Sequence, residues 1–255
     1  MRTLVVTPTY IEAENIEEFL RRVRTSAPDA DVLVVDDNSP DGTADIAEAI
    51  GRDLGQVEVL RRPTKDGLGV AYRAGFAVGL ERCYDVLCQI DADLSHDPAL
   101  LPSLIAPVTS RSADLVIGSR YVPGGSIPHW PWFRRAVSRA GNRYAGLMLG
   151  TGIRDATSGY RVYLAETLRA IDYASTRAKG YGFQIETAYR VWLQGGRVDE
   201  VPIVFTDRVR GHSKMTWSIA AEELLLVTWW GVRDRLLRRH RRVRRDADGE
   251  PRASS

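Results

Sequence analysis

Only two cysteines, Cys83 and Cys88, occur in the 255 residues, and neither has a second thiol or a histidine at metal-ligand spacing. The four histidines, His96, His129, His212 and His240, are equally scattered. This usage argues against a zinc site and leads us to expect a reduced, cytosolic compartment. Long apolar runs are missing too. The longest, LLLVTWWGV at 224–232, is about half of the ~20 residues that span a bilayer, so no transmembrane helix is expected. At the amino terminus, LVVTPTY is too short for a signal peptide and runs into the acidic EAEN instead of a small-residue cleavage site. The nucleotide fingerprints are absent as well: no G-x-G-x-x-G follows the first strands and no G-x-x-x-x-G-K-[ST] occurs anywhere. Dehydrogenase and P-loop readings thereby lose their main support. There is no internal repeat.

What is there is the composition of an ordinary globule, long enough for a sizeable core. The net charge of +2 hides an asymmetry: residues 233–255 hold nine Arg against Asp234, Asp246, Asp248 and Glu250, an excess of five that leaves the preceding body at −3. A basic end on a mildly acidic body suits an anionic surface, membrane or nucleic acid.

Short β-type runs alternate with helical patterns. TLVVT precedes a helix through Ile16, Phe19, Leu20 and Val23; DVLVVD precedes one through Ile46, Ala47, Ile50 and Leu54; VEVLRR precedes one over about 69–81; then come DVLCQI, DLVIGSRY over 114–121, a helix over about 134–149, the loop RDATSGYR, a helix in GYGFQIETAYRVWLQGG, a strand in VDEVPIVF and a long helical pattern from Thr216. Alternation at these lengths predicts an α/β fold with a mostly parallel sheet covered on both faces. The polar tail from Asp246 is expected to be disordered.

The chemistry gathers where strands end. QIDADLSH at 89–96 sets Asp91 and Asp93 two apart after an apolar run, so both carboxylates leave the strand's carboxyl end on one side, and such a pair suits a divalent cation shared with substrate phosphates. D-x-D is also common in ordinary surface loops. TPTYIEAEN places Tyr10 to stack on a base and Glu12 to accept from a base or ribose, or else simply starts a helix with acids near its positive end. VDDNSPDGT offers Asp37 for a base or ribose contact, while Asp41 and Gly42 build the turn. Gly75 is expected to serve helix packing, with Gly67 and Gly69 open between packing and ligand approach.

In GSRYVPGG, Arg120 stands at a strand end, set either for a phosphate or for a salt bridge to a loop aspartate. WPWFRRAVSRAGN puts Arg134 and Ser138 one helical turn apart, where an anion fits between them, and Trp130, Trp132 and Phe133 form either an interfacial rim or core. FTDRVRGHSKMTW carries Arg208, Arg210 and Lys214, a basic loop that closes over a diphosphate or is merely solvated.

Taken together, TPTYxExEN, VVDDNSPDGT, DADLSHDP, GSRYVPGG, W-x-x-x-R-x-x-x-S and R-x-x-G-x-SK, in this order and covering about residues 2–217, closely resemble the polyprenol (dolichol) monophosphate mannose synthases. These are family 2 glycosyltransferases of the GT-A (Rossmann-like) fold. The resemblance implies that Pro8, Tyr10, Glu12, Val35 and Asp37 surround the guanosine of GDP-mannose. It further implies that Asp91, Ala92 and Asp93 hold Mg²⁺ or Mn²⁺ and the nucleotide-sugar; Asp93, farther from the strand, is expected to be the principal metal ligand, with Asp91 in contact, direct or through water, with the metal or the nucleotide-sugar. Arg120, Arg208 and Lys214 would contact the sugar or the diphosphate, and Arg134 with Ser138 the lipid phosphate. Some relatives carry Gln at the position of Ser95.

The implied reaction transfers mannose from GDP-mannose to a polyprenyl phosphate with inversion at the anomeric carbon. The acceptor phosphate already carries charge near neutral pH, so no dedicated base is expected. Three segments follow: a catalytic domain over 1–215, a basic amphipathic helix over 216–245 and the tail over 246–255. The helix mixes Leu224, Leu225, Leu226, Trp229 and Trp230 with eight Arg between 233 and 245, a pattern suited to an anionic leaflet or to a separate membrane-protein partner. A peripheral protein on the cytoplasmic face of the membrane, with no nucleic-acid partner, is the resulting expectation. Glucosyl transfer from another sugar nucleotide is the near alternative. A nucleotidyltransferase would usually show a glycine-rich basic loop after the first strand, and a nucleic-acid binder would leave the acidic loops unexplained.

Overall fold

In the computed structural model the described residues are 1–206 apart from 177, 179 and 181, together with the backbone of 217–236 and the side chains of 224–234 within it. In chain order the elements are β1 (Thr3–Thr9), α1 (Ile16–Ser26), β2 (Asp31–Asp36), α2 (Thr43–Leu54), β3 (Val57–Arg61), α3 (Leu68–Glu81), β4 (Val86–Gln89), α4 (Leu101–Thr109), β5 (Leu115–Ser119), α5 (Trp132–Leu149), β6 (Arg161–Leu164), α6 (Ala165–Ala170), α7 (Gly182–Leu193), β7 (Val198–Pro202) and α8 (Trp217–Leu236).

Seven strands form one sheet in the order β3-β2-β1-β4-β6-β5-β7. Strand β6 runs antiparallel to both of its neighbours, β4 and β5, and every other pairing is parallel. The expected mostly parallel α/β sheet is therefore present. Strand β6 was not expected: its residues close the RDATSGYR loop, and four residues flanked by a loop and a helix give too short a period to read as a strand. Helix α4, with Pro102 in its first turn and Pro107 inside it, is a further element outside the expected pattern.

Both sheet faces are covered because the strands alternate. Leu4, Val6, Leu33, Val35 and Leu87 face α3, α5 and α7, while Val5, Val32, Val34, Val86 and Cys88 face α1, α2 and α4. Helix α1 buries Ile16, Phe19, Leu20 and Val23, spaced as one helical face. Helix α3 lies against the sheet closely enough that a Cβ on Gly75 would stand 2.3 Å from Val6 Cγ1, so Gly75 serves packing. Gly69 does likewise, since its Cβ would meet the Ala178 carbonyl at 2.8 Å. Gly67, at φ +102°, instead supplies a backbone conformation that L side chains rarely adopt.

Chain direction reverses at the centre of the sheet. From β1 the chain steps outward to β2 and β3, then returns to place β4 on the other side of β1. Between the carboxyl ends of β1 and β4 lies a topological switch point, the usual ligand crevice of an open α/β sheet.

Helix α8 departs from the simple surface helix expected. Val227, Trp230, Gly231 and Asp234 are buried, one stripe at helical spacing. The stripe packs on α5, where Tyr144 and Thr228 hydroxyls meet at 2.7 Å, and on α7, where the Tyr189 hydroxyl donates to Asp234 Oδ2 at 2.9 Å. Trp230 thus belongs to the core and not to an exposed apolar face. Leu225 and Trp229, 72% and 57% exposed, carry the outer side. Among the described residues no helix is long and apolar enough to cross a membrane. Residues 237–255, with most of the expected basic run and the tail, lie outside the described residues.

Candidate active site

Four loops leave the sheet at the carboxyl ends of β1, β2, β4 and β5, and the loop into β6 reaches the same edge because β6 runs the other way. This brings Pro8, Tyr10, Glu12, Asp37, Asp91, Asp93 and Arg120 to one side of the molecule.

Three of these loops use a left-handed residue to turn: Ile11 at φ 60°, Asn38 at φ 57° and Leu94 at φ 60°. Such values are uncommon outside glycine, and for a β-branched isoleucine they are a genuine outlier of the kind that clusters at functional sites. The turn at Leu94 lets the Ser95 amide donate back to Asp93 Oδ1 at 3.0 Å. Asp93 is buried, while Asp91 is half-buried and accepts a 2.7 Å bond from the Tyr72 hydroxyl of α3. Burial, reinforced by the Asp91 charge, pushes the Tyr72 hydroxyl far above its ordinary range, so it remains a protonated donor.

The neighbouring acids Asp36, Asp41 and Asp37 are each held by partners. Asp36 accepts from the Thr9 hydroxyl at 2.9 Å and from the Ser39 amide at 2.8 Å, tying β1 to the turn after β2. Asp41 accepts from the Ala13 amide and the Thr43 hydroxyl, which makes it the turn builder that was expected. Asp37 is buried and paired with Arg62 at 2.6 Å. Burial raises its carboxyl above the usual range, against the opposing pull of Arg62. Over the Tyr10 ring, 3.8 Å from its centroid, sits the Lys65 ammonium. Val35 is the exception in its group, wholly buried in the core beneath α3, and Ala92 is nearly so.

Arg120 realises the salt-bridge alternative. Its Nε and Nη2 both reach the Asp155 carboxylate at 2.7 Å, and Nη2 also donates to Thr157 Oγ1 at 2.8 Å. Burial works against the Asp155 charge, but Arg120 outweighs it and holds that carboxyl below its usual range. From Thr157 a bond leads to Asn142 of α5, and Tyr121 donates to Ser138 Oγ at 2.6 Å, which links the Arg134 and Ser138 turn to the strand-end cluster. Arg134 itself lies over the Trp130 ring at 3.9 Å. The aromatic trio splits: Trp130 is core, whereas Trp132 and Phe133 are 75% and 56% exposed.

His96 is buried against Tyr160 and Phe205 and feels the charges of Asp93, Arg120 and Asp155. Burial lowers its pKa to about 4. Arg208 and Lys214 fall outside the described residues; the described chain reaches Thr206, whose amide donates to the Ser95 carbonyl at 3.2 Å.

The donor set at this edge fits a hard divalent cation only in part. Asp91 and Asp93 offer carboxylate oxygens, and the buried Ser95 hydroxyl beside them has no hydrogen-bond partner among the described residues. Among those residues no cluster of three or more His, Cys, Asp or Glu side chains is positioned to ligate a metal. That pattern suits an ion held by one or two carboxylates and completed by phosphate oxygens and water.

Sequence reasoning missed Tyr72, Arg62, Asp155 and Arg161. Arg161 is fully buried and donates to the Ala156, Ser158 and Gln184 carbonyls, which fixes the loop before β6. None of the four has a local signal for its role, since the partner that ties each of them to the site lies 19 or more positions away.

A family model described as glycosyl transferase family 2 matches residues 4–172. The chain is 52% identical over 232 residues to an undecaprenyl-phosphate mannosyltransferase of Micrococcus luteus, covering 91% of this chain and 95% of that one. It is 48% identical over 236 residues to a polyprenol monophosphomannose synthase of Mycolicibacterium smegmatis, covering 92% and 89%. In fold it is similar to a mannosyltransferase from Pyrobaculum calidifontis solved with GDP-mannose and Mn²⁺, with a TM-score of 0.62 at 18% identity over 91% of this chain and 64% of that one. The GT-A architecture follows from that likeness, and the chain belongs to glycosyl transferase family 2, in its branch of polyprenyl-phosphate mannose synthases.

Proposed function

We propose that this glycosyltransferase moves mannose from GDP-mannose to a polyprenyl phosphate, with inversion at the anomeric carbon, giving the β-linked product. The observation that supports the reading is that Tyr10, Glu12, Asp37 and the Asp91 and Asp93 pair all follow the carboxyl ends of three adjacent parallel strands, β1, β2 and β4, beside the switch point of the sheet. The names of the two relatives, each similar over nearly the whole chain, support mannose and a polyprenyl acceptor.

In this reading Tyr10 stacks on the base, while Glu12 and Asp37 accept from the donor groups of guanine or from ribose hydroxyls. Asp91 and Asp93 would hold Mg²⁺ or Mn²⁺, which supplies Lewis-acid stabilisation of the leaving diphosphate. Arg208 and Lys214 share that developing charge. Arg120, held by Asp155, lends its charge to the sugar or the diphosphate. Arg134 and Ser138 hold the acceptor phosphate, whose oxygen attacks without a dedicated protein base.

The acceptor resides in a membrane, so the chain must reach the interface. The exposed Trp132 and Phe133 of α5 and the exposed Leu225 and Trp229 of α8 provide apolar contacts on two helices that pack together, and the Arg-rich segment after Arg233 adds attraction to anionic lipid. A peripheral position on the cytoplasmic face follows from this reading, with docking on a separate membrane protein as the rival use of α8.

The decisive experiment incubates labelled GDP-mannose with polyprenyl phosphate, with and without Mg²⁺ or Mn²⁺. Label entering the organic phase only with metal supports the proposal, and no such label under any metal defeats it. A panel of sugar nucleotides in the same assay separates mannosyl from glucosyl transfer.

A further inference from the structure

Tyr72 is the one large polar side chain of α3 that is wholly buried, and its ring is satisfied by packing alone: Phe183 stacks on it at 6.3 Å and Phe76 lies tilted at 6.0 Å. A phenylalanine would make the same contacts. Burying the extra hydroxyl is unfavourable unless it forms a hydrogen bond, and here it donates to Asp91 Oδ1 at 2.7 Å. The other oxygen of Asp91 is confined as well, because the backbone of Gly159 approaches so closely that a Cβ there would stand 3.2 Å from Oδ2. That loop is itself tied down by Arg161, which donates to the Ala156 and Ser158 carbonyls at 2.6 and 2.8 Å. Helix α3 and the loop before β6 therefore grip one carboxylate from two sides.

We propose that Tyr72 is the positioning residue of the acid pair, fixing the Asp91 carboxylate in the single orientation from which it engages a divalent cation or the diphosphate bound with it. This rests on the reading of Asp91 and Asp93 as a metal and nucleotide-sugar site. Tyr72 does not touch the reacting atoms; it acts through Asp91. Outer-shell donors of this kind typically change metal affinity by about 10- to 100-fold when removed, so loss of the hydroxyl alone is expected to reach the lower end of that range.

The test uses the full chain and the variant Tyr72→Phe, with Mn²⁺ titrated alone and in the presence of GDP and free ion read by electron paramagnetic resonance. The expected result is Mn²⁺ binding weakened about tenfold in Tyr72→Phe, with its thermal unfolding midpoint close to that of the wild type because the ring contacts are kept. In turnover assays the metal concentration for half-activity rises by a similar factor, and excess Mn²⁺ restores most of kcat. Wild-type-like Mn²⁺ affinity in a folded Tyr72→Phe overturns the positioning role and leaves the metal site standing. A wild-type chain that binds no Mn²⁺ with or without GDP overturns both. Lowered stability with unchanged Mn²⁺ affinity makes Tyr72 merely structural and equally overturns the proposal.

Discussion

Arg120 grips Asp155 with two side-chain bonds of 2.7 Å and one backbone bond of 2.9 Å, in a pair that is almost wholly removed from solvent. The two residues are 35 positions apart, so the pair ties the end of β5 to the loop that enters β6. Removing one member leaves the other charged and uncompensated, which for buried pairs costs about 3–5 kcal/mol. Arg120→Ala is therefore expected to lower unfolding stability by that amount in urea titrations, whereas Arg111→Ala, in a pair more than half exposed on both sides, changes it by less than about 1 kcal/mol. Arg120→Lys, which loses the bidentate geometry, is expected to fall between them.

His96 is expected to make the fold sensitive to acid. Its folded pKa of about 4 lies below the ordinary histidine value of about 6.5, so between these values the unfolded chain binds more protons. Its contribution is fully present above about pH 6.5 and is lost progressively as pH falls toward 4. The thermal midpoint should drop over that window, and His96→Phe, which keeps a ring against Tyr160 and Phe205, should flatten part of the slope. An unchanged slope in that variant contradicts the assignment.

Asp93→Asn keeps the size of the side chain and an oxygen for the Ser95 amide, so the fold is expected to survive. Transfer should nevertheless drop by orders of magnitude, because an anionic oxygen ligand is lost. Near-normal turnover with labelled GDP-mannose would remove the acid pair from the centre of the proposed mechanism.

Trp132 and Phe133 are too exposed to contribute much to stability where they stand. The double variant Trp132→Ala and Phe133→Ala is expected to unfold like the wild type and to bind GDP-mannose normally. Its sedimentation with anionic liposomes should fall several-fold, and deletion of residues 237–255, which spares the buried Asp234, should act in the same direction. Unaltered sedimentation of both would sink the membrane part of the reading.

Much of the architecture was legible in the residues. Buried strands such as DVLVVD and helical faces such as Ile16, Phe19, Leu20 and Val23 announce themselves because local periodicity and burial share one cause. The strand-end acids were equally visible, since Asp91 and Asp93 directly follow an apolar run. Strand β6 was not, because its four residues join the sheet by pairing with β4 and β5, and nothing within Arg161–Leu164 specifies that partnership.

The same distinction runs through the site. The sequence by itself determined which residue types stand at the ends of β1, β2, β4 and β5, and their order and spacing sufficed to mark the family. Only the tertiary structure decided which of them are held and by what. Arg120 has Asp155, Asp37 has Arg62, and Asp91 has Tyr72. It also buried Trp230 while leaving Trp229 outside. Hydrogen-bond and ion-pair partners depend on which side chains the sheet order and helix packing bring within about 3 Å, and that distance carries no trace in linear spacing.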